Sequence, residues 1–274
     1  MANAPKPTTA KKESSGSSIF ASLTIVICIL IGIVLWRFVM GDGSNFEGGD
    51  NTGHPLPGNY FGMVYKGGYI VPVLMGLFLM VIVFSFERFF VINKATGKGN
   101  IDSFVSRIQT HLSSRNIDAA MAECDKQEGS VANVIKSGLK KYKEMEVEPN
   151  MDTEQKCLAI QKDIEEATAL EMPMLEQNLT IIATLVSIGT LMGLLGTVTG
   201  MIKAFAGLAT AGSPDQAALA NGISEALINT AVGIATSALS IIMYNLFTSK
   251  IDKLTYSIDE AGFSIVQTYA STHK

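Results

Sequence analysis

Charge disappears from this chain along four long stretches. No Asp, Glu, Lys, Arg or His occurs from Ser14 to Trp36, from Gly67 to Phe86, from Leu179 to Ile202 or from Ala226 to Ser249. Each stretch holds the ~20 residues that a helix needs to cross a hydrocarbon core. The pattern predicts an all-α integral membrane helical bundle with four spans, at 19–40, 67–91, 179–208 and 225–248. Elsewhere the pattern is amphipathic. NIDAAMAECDKQ and SVANVIKSGLKKYKE carry apolar residues at helical spacing, with Asn116 and Ser130 placed to cap them. TEQKCLAIQKDIEEATALEMPMLEQNL reads as a long charged helix that continues into the third span without a hard stop, despite Pro173. Its Lys162, Asp163, Glu165 and Glu166 form a solvated face. Residues 92–178 are therefore expected to be a helical extramembrane domain.

Basic residues set the orientation. Lys6, Lys11 and Lys12 precede the first span, Arg88, Lys94 and Lys98 follow the second, and Lys250 and Lys253 follow the fourth. The segment 41–66 opposes Asp42, Glu47 and Asp50 to Lys66 alone, and 209–224 carries Asp215, with Lys203 near enough to snorkel outward. The positive-inside rule puts the tail 1–18, the domain 92–178 and the tail 249–274 in the cytoplasm, and the loops 41–66 and 209–224 on the periplasmic side. The first apolar run exceeds the roughly 7–15 residues of a signal-peptide core and no small-x-small site follows it, so it is read as an uncleaved helix. Its face is continuously bulky and lacks a small-residue stripe, which predicts a place outside the assembly, toward lipid. The segment GDGSNFEGGDNTGHPLPGNYFG has the composition of turns rather than of a core, with His54 a solvated loop residue.

Composition removes several functions. The formal charge is −4 with no basic stripe, which argues against nucleic-acid binding. Cys28, Cys124 and Cys157 form no CxxC or Cys/His cluster, so neither a metal site nor a disulfide framework is expected. There is no glycine-rich phosphate loop, no triad and no candidate nucleophile, so neither catalytic residues, a cofactor nor an enzyme is expected.

The third and fourth spans carry the informative chemistry. Gly189, Gly193, Gly196 and Gly200 recur at i, i+4, i+7 and i+11 and line one helix face. Small residues at that spacing let helix backbones approach closely in lipid. Ser187, Thr190 and Thr197 lie on a neighbouring stripe. In the fourth span Ala226, Thr230, Gly233, Ser237 and Ser240 form a small and polar stripe opposite bulky residues. Two readings of these hydroxyls stand side by side. They can bond to their own carbonyls or across a helix interface, at about 0.6 kcal/mol each, or they can line a polar lumen when several copies assemble. The acid Glu225 is open in the same way, as a group at the outer mouth or as a helix cap favoured by the dipole. Glu87 and Arg88 either anchor a helix end at the interface or take part in gating.

The segments GLLGTVTGM at 193–201 and ISEALINTAVGIATSALSIIMYN at 223–245 resemble the paired signature of the MotA/TolQ/ExbB proton channel family, nearest its ExbB and TolQ branch. KGGYIVPVL and the ERFF at 87–90 resemble its first core helix, and RNIDAAMAECDKQEGSVANVIKSGL its cytoplasmic helices, so the likeness runs over about residues 60–250. The resemblance implies a homopentamer in the cell inner membrane whose last two spans line a pore. That pore would hold a dimer of an ExbD or TolR-like single-span partner, and a TonB or TolA-like protein would carry the work outward. It implies pore roles for Thr197 and Thr230 and an outer-mouth role for Glu225. The family often has proline where Thr190 and Leu239 stand here, and the first span is additional to its three-helix core. No Asp, Glu, His, Lys or Arg lies at the middle of any span, so a proton path needs a carboxylate from a partner.

Overall fold

The computed structural model describes residues 15–210 and 216–273; Lys6, Lys11 and Lys12 of the expected N-terminal tail, and Asp215, lie outside the described residues. Nine α-helices are described: α1 (Ser15–Val34), α2 (Tyr60–Tyr65), α3 (Val71–Thr96), α4 (Ile101–Ser113), α5 (Ile117–Gln127), α6 (Gly129–Glu146), α7 (Thr153–Glu176), α8 (Leu179–Thr210) and α9 (Gln216–Thr272). Among the described residues the only strand-like pairing is an isolated bridge between Phe46 and Pro55. Four helical stretches are long and apolar enough to cross a membrane, within Ile19–Met40, Gly68–Ser113, Thr153–Gly207 and Leu219–Thr272. The chain is an all-α membrane protein. It divides into two compact units, Met1–Phe84 with Ile182–Ile241, and Ser85–Ile181 with Ile242–Lys274.

In the first unit α1 corrects an expectation. Thr24, Cys28 and Gly32 are buried at fourfold spacing, so the helix does carry a small-residue stripe. A Cβ on Gly32 would stand 2.5 Å from the Pro72 carbonyl oxygen, and one on Gly76 2.9 Å from the Ile29 Cα. Backbone therefore meets backbone between α1 and α3. The bulky residues that dominate the sequence of α1, such as Leu23, Val26 and Leu30, face outward. Pro72 sits at the second position of α3, where its missing N–H has no helical partner to lose.

The 41–66 segment has the expected turns and also a small core of its own. Phe46 is buried, and the Asn45 amide donates to the carbonyls of Val39 (2.8 Å) and Met40 (3.1 Å). Trp36 stacks on Tyr65 at 4.7 Å between ring centroids, and Lys66 Nζ donates to the carbonyls of Asn51 and Thr52. Hydrogen bonds from Ser44 and Thr52 hold the Asp42 and Asp50 carboxyls below the usual carboxylate range. His54 is exposed.

The second unit is a water-type helical core. Phe104, Ile108, Ile135, Leu139, Tyr142 and Tyr269 are at most 1% exposed. Asn116 caps α5 by accepting from the Ala119 N–H at 3.0 Å. Ser130 does not cap α6: the chain enters that helix through Glu128 and Gly129 in left-handed geometry, and Ser130 is buried inside it. Asp152 and Gln155 form a capping box at the start of α7. Lys162, Glu165 and Glu166 are exposed, whereas Asp163 is half-buried and accepts from Ser137 Oγ at 2.8 Å. The expected uninterrupted run from α7 into the third span is broken at Gln177 (ψ 141°) and Asn178 (φ 63°).

Residues 249–272, expected as a C-terminal tail, are the continuation of α9, a 57-residue helix. Ile251, Leu254, Ile258, Ala261, Ile265 and Tyr269 recur three or four residues apart, and all are buried. That spacing is one continuous apolar seam. The expected outer loop 209–224 shrinks likewise, because α8 extends to Thr210 and α9 begins at Gln216.

Candidate functional site

The third and fourth spans, α8 and α9, pack antiparallel along their glycines. A Cβ on Gly189 would meet Ser237 Oγ at 2.7 Å, one on Gly196 the Asn229 Cβ at 2.3 Å, and one on Gly200 the Ala226 nitrogen at 2.8 Å. From the other helix, a Cβ on Gly233 would stand 2.7 Å from the Gly189 carbonyl oxygen and 2.8 Å from the Gly193 Cα. With no hydrophobic drive between helices in lipid, such close approach is what dispersion contacts require.

The hydroxyls fall into three groups. Ser237 and Ser240 are buried in the seam: Ser237 shares a 2.8 Å hydrogen bond with Thr190 Oγ1, and Ser240 donates to the Thr236 carbonyl at 2.8 Å. Ser187 is exposed, as is Thr190, which also donates to the Val186 carbonyl at 3.2 Å. Thr197 and Thr230 are half-buried. Thr197 Oγ1 donates to the Leu194 carbonyl at 2.6 Å and Thr230 Oγ1 to the Ala226 carbonyl at 3.1 Å. Each hydroxyl proton is thereby held by the helix, and the oxygen is left as an acceptor. An acceptor of that kind can receive a hydrogen bond from water or from a protonated carboxyl. Thr197 lies beside an open apolar strip of Val198, Met201, Ile202 and Phe205.

Glu225 is not a helix cap. It stands nine residues beyond the first residue of α9, where no free helical N–H remains. Its Oε1 lies 2.6 Å from Lys203 Nζ, and its side chain is 12% exposed against 52% for Lys203. The lysine that the sequence left to snorkel outward is thus the partner of this acid. One turn further along α9, Asn229 is fully buried, and its Nδ2 donates to the Gly67 carbonyl at 2.9 Å. Sequence reasoning passed over Asn229; the available signal was a single amide among the small residues of INTAVG.

In the other unit, Arg88 is 1% exposed. Its Nη1 donates to the carbonyls of Met174 and Leu175, each at 3.1 Å, and its Nε donates to Glu87 Oε2 at 2.6 Å. Asn178 Nδ2 reaches the same carboxylate at 3.4 Å. Arg88 therefore satisfies carbonyls at the end of α7 that the helix itself leaves without partners.

The family model described as the MotA/TolQ/ExbB proton channel family matches residues 126–260. The Tol-Pal system protein TolQ of Pseudomonas aeruginosa is 28% identical over 157 residues, 57% of this chain and 68% of that protein. The biopolymer transport protein ExbB of Salmonella typhimurium is 31% identical over 85 residues, 31% of this chain and 35% of its own length. TolQ of Haemophilus influenzae is 33% identical over 84 residues, 31% of this chain and 37% of its own length. The alignments with these last two span little more than a third of those proteins.

Proposed function

Because the chain belongs to the MotA/TolQ/ExbB proton channel family, in its ExbB and TolQ branch, we propose that it is an ExbB-like, pore-forming subunit of a proton-driven motor in the inner membrane. In this reading both termini are cytoplasmic and the chain assembles as a homopentamer. A dimer of ExbD or TolR-like single-span helices stands in the pore, and a TonB or TolA-like protein carries the work to the outer membrane.

One observation carries the reading. The middle of the last two spans holds no ionisable side chain, yet Thr197 and Thr230 present hydroxyl oxygens whose own protons are held by helix carbonyls. Such oxygens suit a protonated carboxyl brought by a partner, or the water beside it, and release the group when it ionises. The proton-carrying acid belongs to the partner, and this chain supplies the polar track. Ser187 and Thr190 extend that track, while Ser237 and Ser240 serve the helix seam.

The test is replacement of Thr197 and Thr230 by Val, near-isosteric and without an acceptor. Energised transport is expected to fall at least about tenfold, with the native mass of the complex unchanged, since one lost hydrogen bond to a charged or reacting group is worth ~1.5–3 kcal/mol. Unaltered transport in both variants would return these hydroxyls to helix packing. The matches to TolQ favour a second reading, envelope maintenance in place of nutrient uptake. Deletion phenotypes separate the two: detergent sensitivity and chained cells for envelope maintenance, loss of uptake alone for nutrient uptake.

A further inference from the structure

Three parts of the first unit converge on one carboxylate. Lys203 of α8 approaches Glu225 of α9 at 2.6 Å, and the same Nζ lies 5.9 Å from the centre of the Tyr69 ring. On its other side the carboxylate rests against Gly68, where a Cβ would come within 2.3 Å of Glu225 Oε1. Gly68 has φ +78°, so both backbone conformation and space require glycine there. Asn229, one turn along α9, grips the adjoining Gly67 carbonyl. The turn before α3 is thus held by two side chains of α9, and α8 is tied to the same point by Lys203.

We propose that Lys203 is the positioning residue of the outer-mouth acid: it holds Glu225 on the Gly67–Gly68 turn, and this clasp fixes the rotation of α9 that presents Thr230. The functional half of the inference rests on the pore reading above; the clasp itself does not. The two charges are unequal in what they tolerate. Glu225 is largely enclosed and, without Lys203, is left as an unpaired carboxylate, whereas Lys203 without Glu225 remains half in solvent. The same clasp ties the outer segment to the pore helices. Trp36 Nε1 donates to the Tyr65 carbonyl at 3.3 Å, and the chain passes from Tyr65 through Lys66 to the clasped turn.

The experiment uses the complete complex, purified for thermal unfolding and reconstituted in vesicles with a pH-sensitive dye for proton flux. The variants are Lys203→Met, Lys203→Arg, Glu225→Gln and the Lys203→Met/Glu225→Gln double. Lys203→Met is expected to lower the unfolding midpoint by several degrees and Glu225→Gln much less, with the double close to Glu225→Gln because no enclosed charge then lacks a partner. At a temperature where its mass is intact, Lys203→Met is expected to lose flux at least about tenfold, and Lys203→Arg to keep it within about twofold. The double variant, stable again but without its acid, stays inactive, which a merely structural role would not produce. Single-variant effects of equal size that add in the double overturn the clasp, as does Lys203→Met behaving as wild type. Wild-type vesicles that show no partner-dependent flux overturn the pore reading instead, and the unfolding cycle then still decides the clasp.

Discussion

The two units of this chain join their helices by opposite means. In the first, α8 and α9 touch where side chains are missing, at Gly189, Gly193, Gly196, Gly200 and Gly233, and large residues such as Leu191, Val198 and Leu227 turn outward. In the second, large residues turn inward, and charges such as Arg107, Glu123 and Lys126 pair on the surface. The surroundings account for the difference. Water drives bulky apolar groups together, whereas lipid is as apolar as they are, so only close packing and buried polar contacts favour one helix pairing over another. Among the described residues, the buried charges are Arg88 in one unit and Glu225 in the other.

The contrast can be broken at several points. Replacing Arg88 by Met removes the donor to the Met174 and Leu175 carbonyls and strands Glu87. Loss of about 3–5 kcal/mol is expected in chemical denaturation of the detergent-solubilised chain, the cost typical of breaking a buried pair. Gly233→Val comes next, because its side chain meets the backbone of Gly189 and Gly193, which cannot swing aside. About 1–3 kcal/mol of overpacking is expected, read as loss of native mass. In the other unit, Gly138→Ala meets side-chain atoms alone, those of Ile164 and Ile265, so less than about 1.5 kcal/mol is expected. An equal effect at both glycines would remove the distinction drawn here.

Smaller effects follow in the second unit. Tyr269→Phe deletes a buried hydrogen bond to the Met145 carbonyl at 2.8 Å and should cost about 1 kcal/mol. Burial, with Asp125 beside it, pushes the Cys124 thiol up to about 12. Maleimide at pH 8 is therefore expected to label half-buried Cys157 well before Cys124 in the folded chain. A raised folded value favours the protonated thiol in the native state. Its contribution is complete below 9.0, where the unfolded thiol ionises, and is lost as pH rises from there toward 12. A Cys124→Ser chain should show a shallower alkaline decline in stability over that window.

Much of this was legible along the chain. Four uncharged stretches gave the spans, and the i, i+4, i+7, i+11 glycines gave the face on which α8 meets α9. These are local periodicities, and a helix turns them directly into faces. The small-residue stripe of α1 was missed because Thr24, Cys28 and Gly32 are scattered among bulkier neighbours, and only Gly32 and Gly76 brought together make a close contact. The Gln177–Asn178 break was missed because Pro173, the visible helix breaker, stays inside α7.

What the sequence determined by itself was the class of molecule: an all-helical membrane chain that resembles the MotA/TolQ/ExbB family, with its spans and its two candidate threonines. Tertiary structure alone decided the partners of the charged and amide groups. That Glu225 takes Lys203, that Asn229 takes the Gly67 carbonyl, and that Arg88 takes the end of α7 each join residues between 22 and 162 positions apart. A carboxylate or guanidinium has no periodicity to announce its partner. Enclosure away from water obliges it to find one, and only the packed helices determine which group is within reach.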